Sequence, residues 1–300
     1  MTDQHLNFQM VDGIPIHIMW NPDSFSSALQ YKARPDDIFI DTYPKSGTTW
    51  MEVILYSLLN GGKVFDDNMA DFFARTPYLD VLGRKGMDNM YRPCTIKTHI
   101  PLSRIPYHEN AKYICVVRNP KDVSVSFYQF FFNPLEFQGK QKDFDEFVEE
   151  FINGNVIYGS YFEHLRAVWQ HKNDTNVFLT SYEEMIRDLP SVVRRLADFM
   201  NIELTDDLVE RIVTYSSFNY MKERFDDTYE KQARIALADE SVDAPWPMDK
   251  TSLEYIHYMR RVRQGGVGKW RSMMTDEQAE RIDKSFAEKF PDMHEVQKLF

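Results

Sequence analysis

Residues 43–50, with the sequence Tyr-Pro-Lys-Ser-Gly-Thr-Thr-Trp, constrain the fold of this chain more than any other segment. They follow an alternating apolar run at 37–41, which predicts a short strand that stops at a tight loop. The paired threonines Thr48 and Thr49 predict that a helix begins there. Because backbone N–H groups at the start of a helix attract anions, this order of elements predicts a site for a phosphorylated ligand.

Short apolar runs predict four buried strands, at 38–42, 95–98, 112–117 and 176–180. Helical patterns, such as the one at 190–200, separate most of them. Strands that alternate with helices predict an α/β fold with a central parallel sheet flanked by helices, in which ligands bind beyond the carboxyl ends of the strands. We expect a single domain over 1–300, with long loops at 132–143 and 226–249.

Composition narrows the class of protein. The chain is 43% hydrophobic and 14% aromatic, enough for a sizeable core, and its net charge of −11 argues against a nucleic-acid binder.

Cys94 and Cys115 lie in strand-like runs and predict buried thiols. The sequence has no signal-peptide pattern and no apolar stretch of about 20 residues, so we expect no membrane span and a cytoplasmic protein. No cluster of acids and histidines predicts a metal site.

The loop at 43–50 is P-loop-like but is not a Walker A motif, because Lys45 precedes Gly47 instead of following it. Gly47 permits close approach of the backbone to a ligand, and the hydroxyls of Thr48 and Thr49 can donate to phosphate oxygens. An ordinary strand-to-helix turn would explain the glycine and the threonines. It would not explain why a lysine lies inside the loop. The position of Lys45 therefore favours phosphate binding over an ordinary turn.

Two further segments suggest chemistry. Lys97 and His99 alternate along the second predicted strand, so both side chains point to one side, where a histidine near neutrality can accept a proton. A lone strand histidine is more often structural, but the lysine beside it favours a site. Arg118 follows the third strand, and its planar fork suits a phosphate. The segment 263–270, Arg-Gln-Gly-Gly-Val-Gly-Lys-Trp, is locally basic and offers backbone amides to an anion.

At these residues the chain resembles the cytosolic sulfotransferase family, and the resemblance covers about residues 35 to 280 with the main motifs in order. It implies an enzyme that moves a sulfonate from 3′-phosphoadenylyl sulfate (PAPS) to the hydroxyl or amine of a small aromatic or lipophilic acceptor. The product from the donor would be 3′,5′-ADP, and no metal would be required. A phenol, a monoamine and a steroid all stay open as acceptors.

The resemblance also implies residue roles for binding the donor. It implies that Lys45 contacts the bridging oxygen of the 5′-phosphosulfate, and that the 5′-phosphate and the adenine side are held by Ser46, Gly47, Thr48, Thr49 and Trp50. For the 3′-phosphate it implies Arg118, Ser126, Arg261, Arg263, Gln264 and Gly265. For the adenine side it implies Tyr182, Ser216, Ser217, Phe218 and Met221. Gln264 stands where the family usually has lysine, so we expect somewhat weaker binding of the 3′-phosphate.

For catalysis the resemblance implies His99 as general base and Lys97 as a group that stabilises the transferred sulfonate. Lys45 would support the leaving phosphate, with Ser126 holding it back until the acceptor arrives. The acceptor would contact a set of mostly aromatic residues, namely Trp20, Tyr78, Lys97, His99 and Phe130.

Oligomeric state and function leave alternatives open. The family's dimer motif has an apolar valine where this chain has Asp276, which argues against a homodimer of that kind. A P-loop nucleotide kinase would need a Walker A motif. A non-catalytic nucleotide-binding module would keep the phosphate loop and have no use for His99.

Overall fold

The computed structural model describes residues 8–18, 20–88, 90–105, 107–132, 143–225, 265–291 and 294–300. The loop predicted at 226–249 lies outside these ranges, as does the loop predicted at 132–143 apart from its two end residues.

The described elements alternate between strands and helices along most of the chain. In chain order the strands are β1 (Phe8–Val11), β2 (Ile14–His17), β3 (Ile38–Asp41), β4 (Ile96–Thr98), β5 (Lys112–Val117) and β6 (Val177–Ser181). The first ten helices are α1 (Pro22–Leu29), α2 (Thr48–Leu59), α3 (Met69–Arg75), α4 (Leu79–Gly86), α5 (Pro120–Phe131), α6 (Phe144–Asn153), α7 (Tyr161–Gln170), α8 (Tyr182–Arg187), α9 (Leu189–Met200) and α10 (Asp206–Tyr215). A helical segment at 218–225 and the helices Asp276–Lys289 and His294–Gln297 follow.

A parallel sheet in the order β4-β3-β5-β6 forms the centre of the fold. The four strands are the predicted ones, and each bound differs from the prediction by no more than one residue. Asp41 pairs with Thr98 on one side and with Cys115 on the other, and Val117 pairs with Ser181. The carboxyl ends of all four strands therefore meet at one edge of the sheet, where ligands bind in such folds.

Helices cover both faces of this sheet, which confirms the predicted α/β architecture. Successive side chains of a strand point to opposite faces. On one face, Ile40 and Ile114 pack in a cluster with residues of α2, α9 and α10. On the other face, Phe39 stacks on Tyr113 at 5.1 Å between ring centroids, in a larger cluster with residues of α5 and α7. Because the sheet is covered on both sides, the two central strands β3 and β5 are mainly apolar, and Asp41, Thr98 and Ser181 are buried polar residues at the carboxyl ends of β3, β4 and β6.

An antiparallel hairpin, β1–β2, lies outside the central sheet and was not predicted from the sequence. Its turn contains Asp12 and Gly13, both with positive φ (49° and 81°), which is the conformation that a two-residue hairpin turn requires. The Asp-Gly pair is a hairpin signal that the sequence analysis passed over. The hairpin matters to the site because it leads into His17 and Trp20, whose rings contact each other, and Trp20 also contacts Tyr78, which bridges to β4.

Cys94 and Cys115 are buried free thiols, as predicted. Among the helices in the described ranges, none is both long enough and apolar enough to traverse a bilayer.

Candidate active site

The loop between β3 and α2 forms the base of the candidate site. Helix α2 begins at Thr48 after Gly47, whose φ of 110° suits glycine, and within the described ranges no side-chain hydrogen bond caps its start. A Cβ at Gly47 would stand 3.0 Å from the ring of Tyr182, so the loop passes close to that ring. Lys45 also has a positive φ, of 71°, which costs about 1 kcal/mol for a residue with a side chain. Strain of this kind is typical of functional sites.

Several buried polar atoms in the predicted donor segments have no hydrogen-bond partner within the described part of the chain. They are Ser46 Oγ, Trp50 Nε1, Arg118 Nε and Ser216 Oγ. Buried polar groups are nearly always paired, so unpaired donors at one edge of the sheet fit a polar, anionic ligand. Thr48 is an exception, since its Oγ1 lies 2.6 Å from Thr42 Oγ1. Thr49 is half-buried in the first turn of α2.

His99 lies directly after β4, and its ring is fixed by the neighbouring strand. Its Nδ1 lies 2.6 Å from the backbone carbonyl oxygen of Thr42. Because a carbonyl oxygen only accepts, Nδ1 must donate the proton, and the lone pair of the neutral ring is on Nε2. Burial, and after it the charge of Lys97, lowers the pKa of His99 well below its usual value. The imidazole is therefore neutral and able to accept a proton at physiological pH.

A buried carboxylate, Asp80, holds the backbone of this histidine. Asp80 accepts from the His99 N–H at 2.8 Å, from Thr98 Oγ1 at 2.6 Å and from the Tyr158 hydroxyl at 2.6 Å. Burial raises the pKa of Asp80 to about 6, against the opposing effect of these three donors. The same network reaches Tyr78, whose hydroxyl lies 2.6 Å from that of Tyr158. It therefore links the predicted base to the predicted acceptor wall.

Two lysines stand near this histidine. Lys97 on β4 is buried, with its Nζ 3.6 Å from Glu52 Oε2 on α2 and 4.4 Å from the centre of the Tyr78 ring. Lys45 Nζ lies 3.8 Å from the centre of the Phe130 ring on α5. The positive charges of both lysines lower the pKa of His99, with that of Lys97 the larger influence. Lys45, Lys97 and His99 therefore share one electrostatic environment.

Aromatic rings form a wall next to His99. The rings of Tyr78 and Tyr158 stand edge-on to the imidazole at 5.5 and 5.2 Å between centroids. Trp20 packs against Tyr158 at 5.4 Å and against Tyr78 at 6.2 Å. The structure thus brings the predicted acceptor residues Trp20 and Tyr78 to the predicted base. It adds Tyr158, which the sequence analysis did not select.

Arg118, directly after β5, connects the phosphate loop to the glycine-rich segment. Its Nη1 donates to the carbonyl of Lys45 at 3.0 Å, and its Nη2 donates to the carbonyl of Gly266 at 3.1 Å. The guanidinium lies 4.2 Å from the centre of the Tyr182 ring, and the Tyr182 hydroxyl accepts from the Gly266 N–H at 3.2 Å. Trp50 packs edge-on to the same ring at 5.5 Å. The segments predicted to bind the donor therefore converge on Tyr182.

Residues 265–270, which we call the glycine loop, are anchored by Asp122 on α5. This carboxylate accepts from the Gly268 N–H at 2.7 Å and from the Trp270 N–H at 2.9 Å. A Cβ at Gly265 would stand 2.6 Å from the Phe218 ring, so the start of the glycine loop lies directly against that ring. Phe218 is also among the exposed large apolar side chains. Its ring is thus available to a flat ligand beside the glycine loop.

The remaining predicted residues have different environments. Ser126 is half-buried on α5, one helical turn from Asp122 and one from Phe130, and so on the same face as both. Ser217 is half-buried, while Met221 packs in a core cluster against Trp50. Arg261, Arg263 and Gln264 lie outside the described residues.

The sequence analysis missed three acids and one tyrosine of the site: Glu52, Asp80, Asp122 and Tyr158. Asp122 lies in the segment that the analysis singled out around Arg118, four residues after the arginine. In the sequence, Glu52 and Asp80 resemble surface acids of amphipathic helices, and Tyr158 resembles an ordinary core tyrosine. Within the described ranges, no three His, Cys, Asp or Glu side chains are grouped so that they could hold a metal ion. Metal-free chemistry stays a prediction.

Comparison with known proteins identifies the family of the chain. The model of the sulfotransferase domain family matches residues 35–294. Sulfotransferase 1E1 of Bos taurus is 32% identical over 288 residues, which are 93% of this chain and 91% of that protein. Sulfotransferase 1A1 of Rattus norvegicus is 31% identical over 291 residues, 94% of each chain. The crystal structure of mouse sulfotransferase SULT7A1 complexed with PAP has a TM-score of 0.72 at 25% identity, covering 97% of this chain and 98% of that one.

The fold is that of an α/β protein with a central parallel sheet, and these comparisons show that the chain belongs to the sulfotransferase family. The prediction of a sulfotransferase is confirmed. Neither alternative, a nucleotide kinase or a non-catalytic module, receives support from these comparisons.

Proposed function

We propose that this enzyme transfers a sulfonate from PAPS to the hydroxyl or amine of a small aromatic or lipophilic acceptor and leaves 3′,5′-ADP. The solved mouse relative, which was crystallised with PAP, supports the choice of donor. So do the buried donors Ser46 Oγ, Trp50 Nε1 and Arg118 Nε in the segments around Tyr182, which have no hydrogen-bond partner among the described residues. When bound, the donor supplies the activated sulfonate.

The proposed donor site has two anion cradles and a ring between them. The uncapped start of α2, with Lys45, Ser46, Gly47, Thr48 and Thr49, would hold the 5′-phosphosulfate. Arg118, Ser126 and the glycine loop would hold the 3′-phosphate, because the arginine fork suits a phosphate and the glycines present backbone amides. Trp50, Tyr182, Phe218 and the serines before it would contact the adenine side.

His99 serves as the general base in this proposal. Its Nδ1–H is held by the Thr42 carbonyl, so Nε2 is the atom that accepts the proton of the acceptor hydroxyl. The lowered pKa keeps the ring unprotonated at neutral pH. The ammonium groups of Lys45 and Lys97 stabilise charge on the oxygens of the transferred group and of the leaving phosphate, as in phosphoryl transfer.

The acceptor pocket is apolar and aromatic. Tyr78 and Tyr158 contact the imidazole of His99, Trp20 packs against both tyrosines, and Phe130 lies beside Lys45. Flat rings of this kind favour a phenol, a steroid or another small hydroxyl compound with an apolar body. Single-domain organisation, a cytoplasmic location and the absence of the family's dimer contact stay predictions beside this proposal.

The observation that most supports the proposed chemistry is the fixed tautomer of His99, with its Nδ1 2.6 Å from a carbonyl oxygen. We expect the enzyme to transfer radiolabelled sulfate from PAPS to at least one member of a panel of phenols, monoamines and steroids. His99→Ala should lower kcat by about a hundredfold or more, the usual effect of a positioned base.

A matched control is His171→Ala, since His171 pairs with Asp174 at 2.8 Å and is one-third exposed on the surface. It should leave kcat unchanged. Calorimetry with 3′,5′-ADP should show similar affinity in wild type and His99→Ala, because the base does not contact the product nucleotide. No transfer to any acceptor together with no heat from 3′,5′-ADP would refute the proposed function.

A further inference from the structure

Glu52 is a buried acid on α2 with no role in the chemistry described so far. It is 1% exposed and lies one turn into the helix whose first residues form the phosphate loop. Its Oε2 stands 3.6 Å from Nζ of Lys97, whose side chain is only 7% exposed. A carboxylate is costly to bury, so its presence under the active site calls for a physical reason.

The backbone of Lys97 is fixed on both sides, while its side chain is long. On one side Lys97 pairs with Ile40 of β3, and on the other its N–H donates to the Pro77 carbonyl at 2.9 Å. A lysine side chain has four rotatable carbon–carbon bonds, so a fixed backbone does not place the ammonium. Among its contacts in the described residues, those with Glu52 at 3.6 Å and with the Tyr78 ring at 4.4 Å help to place it.

We propose that Glu52 is a positioning residue that holds the ammonium of Lys97 in place for sulfonate transfer. This inference rests on the proposed function. The ion pair joins α2, which begins at the phosphate loop, to β4, which ends at the general base. It therefore links Lys97, the group that stabilises the sulfonate in this proposal, to the phosphate loop and to the strand that precedes the general base. Because small displacements of a positioned charge reduce catalysis steeply, the loss of this anchor should reduce turnover.

Loss of the Glu52 charge should slow sulfonate transfer and leave the affinity for the product nucleotide unchanged. The product 3′,5′-ADP lacks the sulfonate, so its affinity reports on both anion cradles and not on Lys97. Glu52→Gln keeps the size of the side chain and removes its charge. We expect kcat to fall about tenfold, with the dissociation constant of 3′,5′-ADP within about twofold of wild type.

A double-mutant cycle separates positioning from general support of the fold. Lys97→Met should lower kcat by about a hundredfold, the scale for one lost stabilising group. If Glu52 acts through Lys97, adding Glu52→Gln to Lys97→Met should lower kcat no further. The double variant should also melt at a higher temperature than Lys97→Met alone, because that single variant buries Glu52 without its ammonium.

Asp37→Asn is the matched control. Asp37 is a buried acid that pairs with Arg92 at 2.7 Å, and it precedes β3 at the amino end of the sheet, away from the site. It should lower the melting temperature without changing kcat per folded molecule.

Three results would overturn the inference: an unchanged kcat in Glu52→Gln, independent and multiplying effects of the two substitutions, or an equal loss of kcat in Asp37→Asn. Failure of the proposed function is distinguishable, because wild type itself would then neither transfer sulfate nor bind 3′,5′-ADP.

Discussion

The anchor of the glycine loop provides the most quantitative prediction. Asp122 is 2% exposed and accepts two backbone N–H groups of that loop, at 2.7 and 2.9 Å. The backbone of Gly266 in the same loop also bonds to Arg118 and to Tyr182, at the longer distances of 3.1 and 3.2 Å. The two short bonds to a charged acceptor should therefore contribute most of the energy that keeps the loop docked on α5.

Asp122→Ala removes both bonds. A hydrogen bond to a charged group contributes about 1.5–3 kcal/mol, and the lower value applies because a released loop can hydrate its N–H groups. Two bonds then give about 3 kcal/mol, which corresponds to about a hundredfold in affinity for a ligand that needs the docked loop. Asp122→Asn keeps one acceptor oxygen and should lose about tenfold.

Calorimetric titration with 3′,5′-ADP measures this loss directly. Asp283→Ala is the control, because Asp283 pairs with the adjacent Lys121 at 2.7 Å but is 57% exposed, and exposed pairs contribute less than about 1 kcal/mol. Circular dichroism would verify that each variant is folded. A dissociation constant for Asp122→Ala within about threefold of wild type would refute the reasoning, since the loop would then stay in place without its anchor.

Two further predictions concern Arg118 and His17. Arg118→Lys keeps the charge but loses the fork that reaches both Lys45 and Gly266, so the dissociation constant of 3′,5′-ADP should rise about tenfold by calorimetry; an unchanged constant would remove Arg118 from the donor site. Burial lowers the pKa of His17 to about 4, so the unfolded chain binds an extra proton between about pH 6.5 and 4 and the free energy of unfolding falls as pH drops through that window. Between pH 7 and pH 5 the free energy of unfolding should fall by about 2 kcal/mol less in His17→Phe than in wild type, as measured by urea unfolding at both pH values. An equal fall in variant and wild type would contradict this. Asp80, whose pKa is raised to about 6, changes the free energy of unfolding with pH in the opposite direction. Its contribution is the same in variant and wild type, so it cancels when the two are compared.

The sequence predicts those parts of the structure that depend on local patterns. Apolar runs bounded by polar residues located β3 to β6, and alternation predicted that Lys97 and His99 point the same way, in agreement with the contacts of both with the Tyr78 ring. The start of α2 at Thr48 followed from the paired threonines. The hairpin β1–β2 could have been predicted as well, because its Asp-Gly turn is a local signal.

The supporting residues could not be predicted, because their roles depend on contacts between distant segments. Asp80 and Tyr158 are 78 residues apart, and their hydrogen bond exists only after α4 and the segment before α7 have packed against β4. In the sequence Asp80 lies between leucine and valine, and nothing local distinguishes it from a surface acid on an amphipathic helix. Glu52 lies similarly within the apolar stretch of α2. Only the folded chain shows which charges face each other.

The bond between Arg118 and Gly266 has a consequence for biosynthesis. Its two partners are 148 residues apart, so the central sheet can be complete on a growing polypeptide while one anion cradle still lacks its glycine loop. During synthesis of the chain, affinity for the nucleotide should therefore appear in one late step, once the segment beyond residue 265 has left the ribosome. Ligand that binds only the finished form adds to its stability by mass action, and so favours full-length molecules over chains arrested before that point.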